Sequence, residues 1–210
     1  MLNKIVGALG QVAGAGGSIV GIRTGTAEPS FTVQRRVHGV EIRRYGPRIA
    51  AETTIDADEE KARSEGFRRL AGYIFGGNTT KSKIAMTAPV AQQQSEKIAM
   101  TAPVAAARDD RGQWVIRFFT PAEYTMDTLP TPNDDRVRLV DVPAETVAVL
   151  RYSGIASPAA VATHTEELLT TLRDNGFEPK GEPFSWFYDP PWTVPFRRRN
   201  EVVVGVENTG

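Results

Sequence analysis

From Val40 onward the apolar positions follow a period of two, then about 3.6, then two again, and the whole series occurs twice. Val40 to Tyr45 reads Val-Glu-Ile-Arg-Arg-Tyr, close to strict alternation; Gly46-Pro47 turns the chain, and Ile49 to Ile55 resumes as a strand. The second half echoes this: Val137 to Val142 alternates, Pro143-Ala144 turns, and Thr146 to Tyr152 is rich in β-formers. Each half is therefore expected to open with a hairpin whose turn carries proline.

The spacing next predicts one amphipathic helix per half. The first runs from about Asp58 to Phe75, with Ala62, Phe67, Leu70, Ala71 and Ile74 on its apolar face and Gly76-Gly77-Asn78 as its stop. The second starts at Ser157-Pro158, an N-cap followed by proline at the first helical position. It places Val161, Thr165, Leu168, Leu169 and Leu172 on one side and stops at Asn175-Gly176. Two helices and about eight strands imply an α+β fold of two pseudo-repeated ββαββ halves, forming a curved antiparallel sheet or distorted β-barrel with both helices packed on it.

Two segments stand outside this pattern. Residues 78–111 contain KIAMTAPV twice, Lys83 to Val90 and Lys97 to Val104, separated by AQQQSE. Two identical segments compete for one sheet edge, and the second, nearer to Trp114–Phe119, is the expected strand, with Arg108 to Gly112 as the following turn. At the start, Leu2, Ile5, Val6, Leu9, Val12 and Ala13 have helical spacing, but Gly14, Gly16 and Gly17 interrupt it, and Ile5 to Ile22 carries no charge. Residues 1–36 are read as an amphipathic or flexible tail and 37–207 as the folded domain. A cytoplasmic placement follows, with peripheral membrane contact through the tail as the alternative and export left open.

Composition narrows the chemistry. Of 210 residues, 40% are hydrophobic and 24% charged, enough for one substantial core. Lys plus Arg equals Asp plus Glu at 25 each, so no basic excess points to nucleic acid. The absence of cysteine removes disulfides, thiolate metal sites and covalent heme attachment. No nucleophile elbow, phosphate-binding loop or HExxH is present, and two histidines 126 positions apart form no recognisable catalytic pair, so no enzyme is expected.

YGPRIAAET (Tyr45 to Thr53), GFRRLAGYIFGGN (Gly66 to Asn78), the repeated KIAMTAPV, FFTPAEYTMDTLPTPND (Phe118 to Asp134) and YDPPWTVPFRRRNEV (Tyr188 to Val202) resemble, in this order, the SOUL/heme-binding protein family. The resemblance runs from about His38 to Glu207 and implies reversible, non-covalent binding of heme b or another tetrapyrrole by a monomeric carrier or buffer. The fold also resembles effector-binding domains of small-molecule-responsive regulators, which makes an interaction module the rival reading. A tetrapyrrole site needs apolar walls, cations for propionates and, for tight iron binding, an axial donor. Candidate walls are Leu70, Ile74, Phe75, Met100, Tyr188 and Trp192, with Met86, Phe184 and Trp186 nearby in type; candidate cations are Arg63 and Arg197, with Arg68, Arg69, Arg198 and Arg199 as further arginines. His38 and His164 are the candidate iron ligands, because the position just before Tyr-Gly-Pro, where some family members carry histidine, is Arg44 here. The arginines, Asn200 and Glu201 of RRNEV are expected to serve the structure through loop and carboxylate hydrogen bonds.

Overall fold

The computed structural model describes residues 27–80, 95–99, 101–189 and 193–207. The expected N-terminal helix, the first KIAMTAPV copy with Met86, and the candidates Met100 and Trp192 lie outside the described residues. Strands β1 (Phe31–Val37), β2 (Val40–Tyr45) and β3 (Arg48–Ile55) lead to helix α1 (Glu59–Ile74), followed by β4 (Asn78–Thr79), β5 (Val104–Arg108) and β6 (Trp114–Phe119). The second half comprises β7 (Thr131–Pro132), β8 (Arg138–Val142), β9 (Glu145–Tyr152), helix α2 (Pro158–Asp174), β10 (Pro179–Phe187), a 3-10 turn at Pro195–Arg197 and β11 (Asn200–Val206). β1 falls within the stretch read from sequence as tail, yet it pairs with β2 along most of its length.

The nine-stranded antiparallel sheet has the order β1-β2-β9-β11-β10-β5-β6-β3-β8. Leaving out β1, this order is unchanged when each strand is replaced by its counterpart in the other half, so the pseudo-repeat is a pseudo-two-fold centred between β10 and β5. The first strand of each half is exchanged: β2 pairs with β9 and β8 pairs with β3. The expected proline hairpins are therefore not hairpins. Gly46-Pro47 and Pro143-Ala144 instead carry the chain between opposite ends of the sheet. A two-residue link spans only about 10 Å, so the sheet must curl until its ends nearly meet. They do meet through side chains: Arg48 of β3 bonds Glu145 of β9, and its guanidinium lies 4.4 Å from the Tyr45 ring centroid of β2. No ladder among the described residues joins the edges, so the sheet is curved and not a closed barrel.

The expected strand at Lys97–Val104 is displaced: β5 begins at Val104, where the second KIAMTAPV copy ends. Pro103 has no N–H to give a ladder, and the residues before it find other partners. Ile98 donates its N–H to the Ile74 carbonyl at 2.9 Å, and Ala102 donates to Ala27 at 2.9 Å.

Both helices cover the convex face. Asp58 caps α1 by accepting from the Lys61 N–H at 2.9 Å, and Ser157 caps α2 by accepting from Ala160 at 3.2 Å. Leu70, Tyr73 and Ile74 of α1 bury against Ala51, Ile116 and Phe118; Leu168 and Leu172 of α2 bury against Ile42, Leu150 and Val204. Gly66 is fixed by this contact, because a Cβ there would approach Ile116 to 2.5 Å. β9 is buried on both sides, with Ala148 and Leu150 under α2 and Val147 and Val149 in the concave interior, which explains its unbroken apolar run.

The concave interior holds charge as well as rings. Glu201 is completely buried, and its carboxylate accepts from Arg43 at 3.0 and 3.2 Å, from Arg199 at 2.9 Å and from the Tyr188 hydroxyl at 2.7 Å. Burial opposes the Arg43 charge, but the Glu201 bonds outweigh it and hold the guanidinium more firmly protonated. Arg48 is the opposite case: it sits between the Tyr45 and Phe119 rings, and its Nε and Nη1 are buried without an acceptor among the described residues. Burial lowers its pKa despite Glu145.

These two arginine environments have different expected costs. Glu201→Gln leaves Arg43 and Arg199 buried with too little negative charge and should cost about 3 kcal/mol or more. Arg48→Met keeps the apolar contacts and removes two unsatisfied donors while giving up the bond to the part-exposed Glu145, so its stability should stay within about 1 kcal/mol of the parent. Urea denaturation of both variants checks this, and equal losses would contradict the assignment.

Candidate functional site

α1 has one face committed to the core and another facing solvent. Lys61, Ser64, Arg68, Gly72 and Phe75 recur at three- and four-residue intervals and are all exposed, Phe75 by 58%. Gly72 is the unusual member. A glycine inside a helix costs about 1 kcal/mol relative to alanine, and a Cβ added here would meet nothing within 4 Å. Packing therefore gives no reason for it, in contrast to Gly66.

Gly72 forms part of a groove of about 410 Å³, with Arg68, Arg69 and Tyr73 beside it on α1 and Gly77, Asn133 and Asp134 facing them. The facing wall is positioned by the short β4–β7 pair, in which Asn78 opposes Pro132 and Thr79 opposes Thr131. Asn133 donates its N–H to Gly77 at 3.0 Å and accepts from the Thr79 hydroxyl at 2.8 Å. Asn78, itself buried, donates to the carbonyls of Tyr73 and Glu96, which ties the end of α1 to the chain leading into β5. The Tyr73 hydroxyl donates to Pro130 at 2.9 Å; burial pushes its pKa up, so it remains a neutral donor. Arg69 is anchored to Glu65 at 2.7 Å and Thr53 at 2.8 Å.

The sequence candidates distribute over several environments. Leu70 and Ile74 face the sheet and are buried in the core under α1, and the helix rotation that buries them turns Gly72 outward. Phe75 is exposed on the groove-bearing helix. Arg63 donates to the Ala156 carbonyl at 3.2 Å, and its guanidinium lies 4.6 Å from the Phe187 ring centroid, so it clamps α1 to the loop before α2. Tyr188 is committed to Glu201 in the concave interior. Arg197 is exposed in the 3-10 turn, in a part of the fold separate from the groove lining.

The histidines are not brought together either. His38 occupies the β1–β2 turn with φ of 45°, a backbone position uncommon for a residue with a side chain. His164 lies on α2, stacked 4.2 Å from the Tyr152 ring and 3.1 Å from Glu167. Neither lines the groove, and no cluster of three or more His, Asp or Glu among the described residues has metal-binding geometry. Gly72, Asn133 and Asp134 were missed as site residues. Their signal was a glycine four positions after Arg68 on the charged face of a predicted helix.

RRNEV takes a structural course. Arg198 donates to the Thr193 carbonyl at 2.7 Å, the Arg199 N–H donates to Asp189 at 2.7 Å, and Asn200 donates to Gly154 at 3.1 Å. The motif thus fixes the C-terminal loop and delivers Glu201 to the interior.

Comparison with known proteins follows the same outline. The family model described as SOUL heme-binding protein matches residues 26–96 and 91–205. Heme-binding protein 2 of Mus musculus is 30% identical over 168 residues, covering 77% of this chain and 75% of the mouse protein; heme-binding protein 1 of Sus scrofa is 26% identical, covering 75% and 78%. Among solved structures, the EcmrR C-terminal domain superposes with a TM-score of 0.58 at 12% identity, covering 81% of this chain and 98% of that domain, a likeness of fold. With family matches spanning nearly all of the described domain, the chain belongs to the SOUL heme-binding protein family.

Proposed function

We propose that this protein binds heme or a related tetrapyrrole reversibly and non-covalently, as a non-enzymatic carrier or buffer, on the outer face of α1. The observation that carries the site is Gly72: an exposed helix-interior glycine that no packing contact requires, between Arg68 and the exposed Phe75. A planar macrocycle needs a flat, side-chain-free floor, which Gly72 supplies. Arg68 supplies a cation for a propionate, and Phe75 supplies an aromatic face one turn away. Arg68 suits a propionate, and Phe75, which lies beside the groove and does not line it, is the exposed aromatic surface open to the ring. They do not supply iron with an axial ligand, because neither histidine lines the groove. When bound, the group would bring its own iron chemistry; the protein's part is to hold the ring and its acidic edge.

The charge state of the groove is fixed at neutral pH. The Arg136 guanidinium donates two hydrogen bonds to Asp134 at 2.8 Å and holds its carboxyl down to about 2. With Asp134 occupied by Arg136 and Arg69 paired with Glu65, Arg68 is the exposed cation of the groove lining.

The rival reading, a module for amphipathic cations, needs a carboxylate to spare. Glu201 is held by Arg43 and Arg199, and Glu52 is bonded by Arg117 at 2.6 Å and Arg138 at 2.9 Å. Each of these carboxylates is thus bracketed by arginines, as are Glu41 by Arg36 and Arg43 and Glu145 by Arg48, which does not favour it.

Gly72→Leu should keep or raise the thermal midpoint by restoring helix propensity, while weakening hemin and metal-free protoporphyrin binding about tenfold or more. Arg68→Glu should weaken both as well. His38→Ala and His164→Ala should leave the Soret spectrum and affinity unchanged. Hemin titration by absorption and tryptophan quenching reads these outcomes; no saturable binding to the parent protein would end the carrier reading.

The Asp134 pKa gives a separate check. Its folded value lies below the usual 3.8, so its contribution to stability is complete above that value and is lost as pH falls through about 2. Arg136→Ala should move the Asp134 midpoint, followed by carboxyl NMR, upward toward 3.8.

A further inference from the structure

Asp134 is the one carboxylate in the lining of the α1 groove, where a free acid would repel a propionate and attract an amphipathic cation. The acid is not free, because Arg136 gives it three hydrogen bonds. Nε donates to one carboxylate oxygen at 2.8 Å, Nη2 donates to the other at 2.8 Å, and the backbone N–H donates to the first at 3.0 Å. Both oxygens are thus engaged by one side-on guanidinium fork.

Local contacts hold the fork in place. The Val137 N–H donates to the Asp134 carbonyl at 3.0 Å and closes the turn that sets Arg136 beside Asp134, while the Asn133 N–H donates to Gly77 at 3.0 Å and fixes that turn against the end of α1. Arg136 itself is exposed and outside the groove lining. The other charged groups around the pair are Arg69, bonded to Glu65 at 2.7 Å, the exposed Asp135 on the same turn, and the exposed Arg68 on α1. With the fork closed, the lining offers one exposed cation and no spare carboxylate; without Arg136 it would offer one of each. The Asp134 carboxyl, held down to about 2, would then move toward 3.8 and still be ionised at neutral pH.

We propose that Arg136 sets the ligand specificity of the groove: by occupying Asp134, it lets the lining accept a ligand with an acidic edge and turns away amphipathic cations. The inference rests on the groove being the tetrapyrrole site and adds the sign of the ligand's charge to that reading. Because Arg136 acts through Asp134 and does not touch the ligand, it is a positioning residue.

The test compares metal-free protoporphyrin, a diacid, with its neutral dimethyl ester and with a tetracationic pyridinium porphyrin, each titrated against the full chain by tryptophan quenching. The parent is expected to favour the diacid, because Arg68 meets a propionate. Arg136→Ala should weaken the diacid about threefold to tenfold, the effect of one like charge uncovered about 6 Å away near a protein surface. The ester should be unchanged and the cationic porphyrin should bind more tightly. Adding Asp134→Asn to Arg136→Ala should return the diacid to the parent affinity, an outcome that a purely structural role for Arg136 does not produce. Salt at about 0.5 M should shrink the loss in Arg136→Ala. Equal losses for all three porphyrins, or no recovery in the double variant, would overturn the proposal by assigning Arg136 to the shape of the wall. An unchanged order of preference in Arg136→Ala would overturn it too, with the groove itself still standing as the site. A parent protein that binds none of the porphyrins would instead remove the groove reading, and the role of Arg136 with it.

Discussion

Gly46 and Pro47 are all that separates a strand near one end of the sheet from a strand near the other, and Pro143 and Ala144 impose the same constraint in the second half. A sheet of nine strands cannot satisfy two such links while lying open, so it curls and acquires an interior. Trp186 packs edge-on against Tyr45, Phe119 and Phe184 in one part of it, and Glu201 with its arginines fills another. The buried ionic cluster is a consequence of the exchange: Arg43 comes from β2, and Tyr188, Arg199 and Glu201 come from the C-terminal segment beyond it in sequence by about 150 residues. Strand exchange thereby fixes both halves to one another, and it leaves each helix with a convex surface to cover.

Local chemistry in the sequence was enough to locate both helices. The Asp58 and Ser157 caps, the proline at the start of α2 and the Asn175-Gly176 stop all operate as their residue types require. Pairing was less accessible. Proline turns between two alternating runs read as hairpins, because nothing within residues 40–55 signals that the partner of β2 lies a hundred residues away in β9. The same limit applies to the duplicated segment. Its second copy looks like a strand by composition, but the ladder starts only at its last residue, after proline, where main-chain donors become available.

The candidate site shows how burial sorts a chemically plausible set. Leu70 and Ile74 were attractive as apolar walls for the same reason that they are core: they lie on the face that α1 buries. The informative positions were on the opposite face, where composition gives a glycine and an arginine no special weight. Arg68 was named as a cation in the sequence reading, but its partnership with Gly72 and with the Asn133–Asp134 wall depends on β4 pairing with β7, a contact of two residues that no periodicity reveals. Likewise the RRNEV arginines, plausible propionate partners by charge, are drawn into loop and carboxylate bonds once Glu201 is seen to be buried.

The duplication also bears on how tolerant this architecture is. The two family matches overlap at residues 91–96, so the family pattern can be followed through the first KIAMTAPV copy and resumed ahead of the second. The extra chain falls between β4, ending at Thr79, and β5, starting at Val104. Lengthening a connection costs little, about 0.6 kcal/mol per doubling, provided that both ends keep their anchors. Here they do: Asn78 binds Tyr73 and Glu96 on one side, and Thr101 donates its hydroxyl to the Phe119 carbonyl on the other. An insertion at this point leaves the exchanged strands and the Glu201 cluster untouched, because the described contacts that bring the sheet ends together, Arg48 with Glu145 and with the Tyr45 ring, come from β2, β3 and β9. The same insertion placed at Gly46-Pro47 would relax the short link that makes the sheet curl at all.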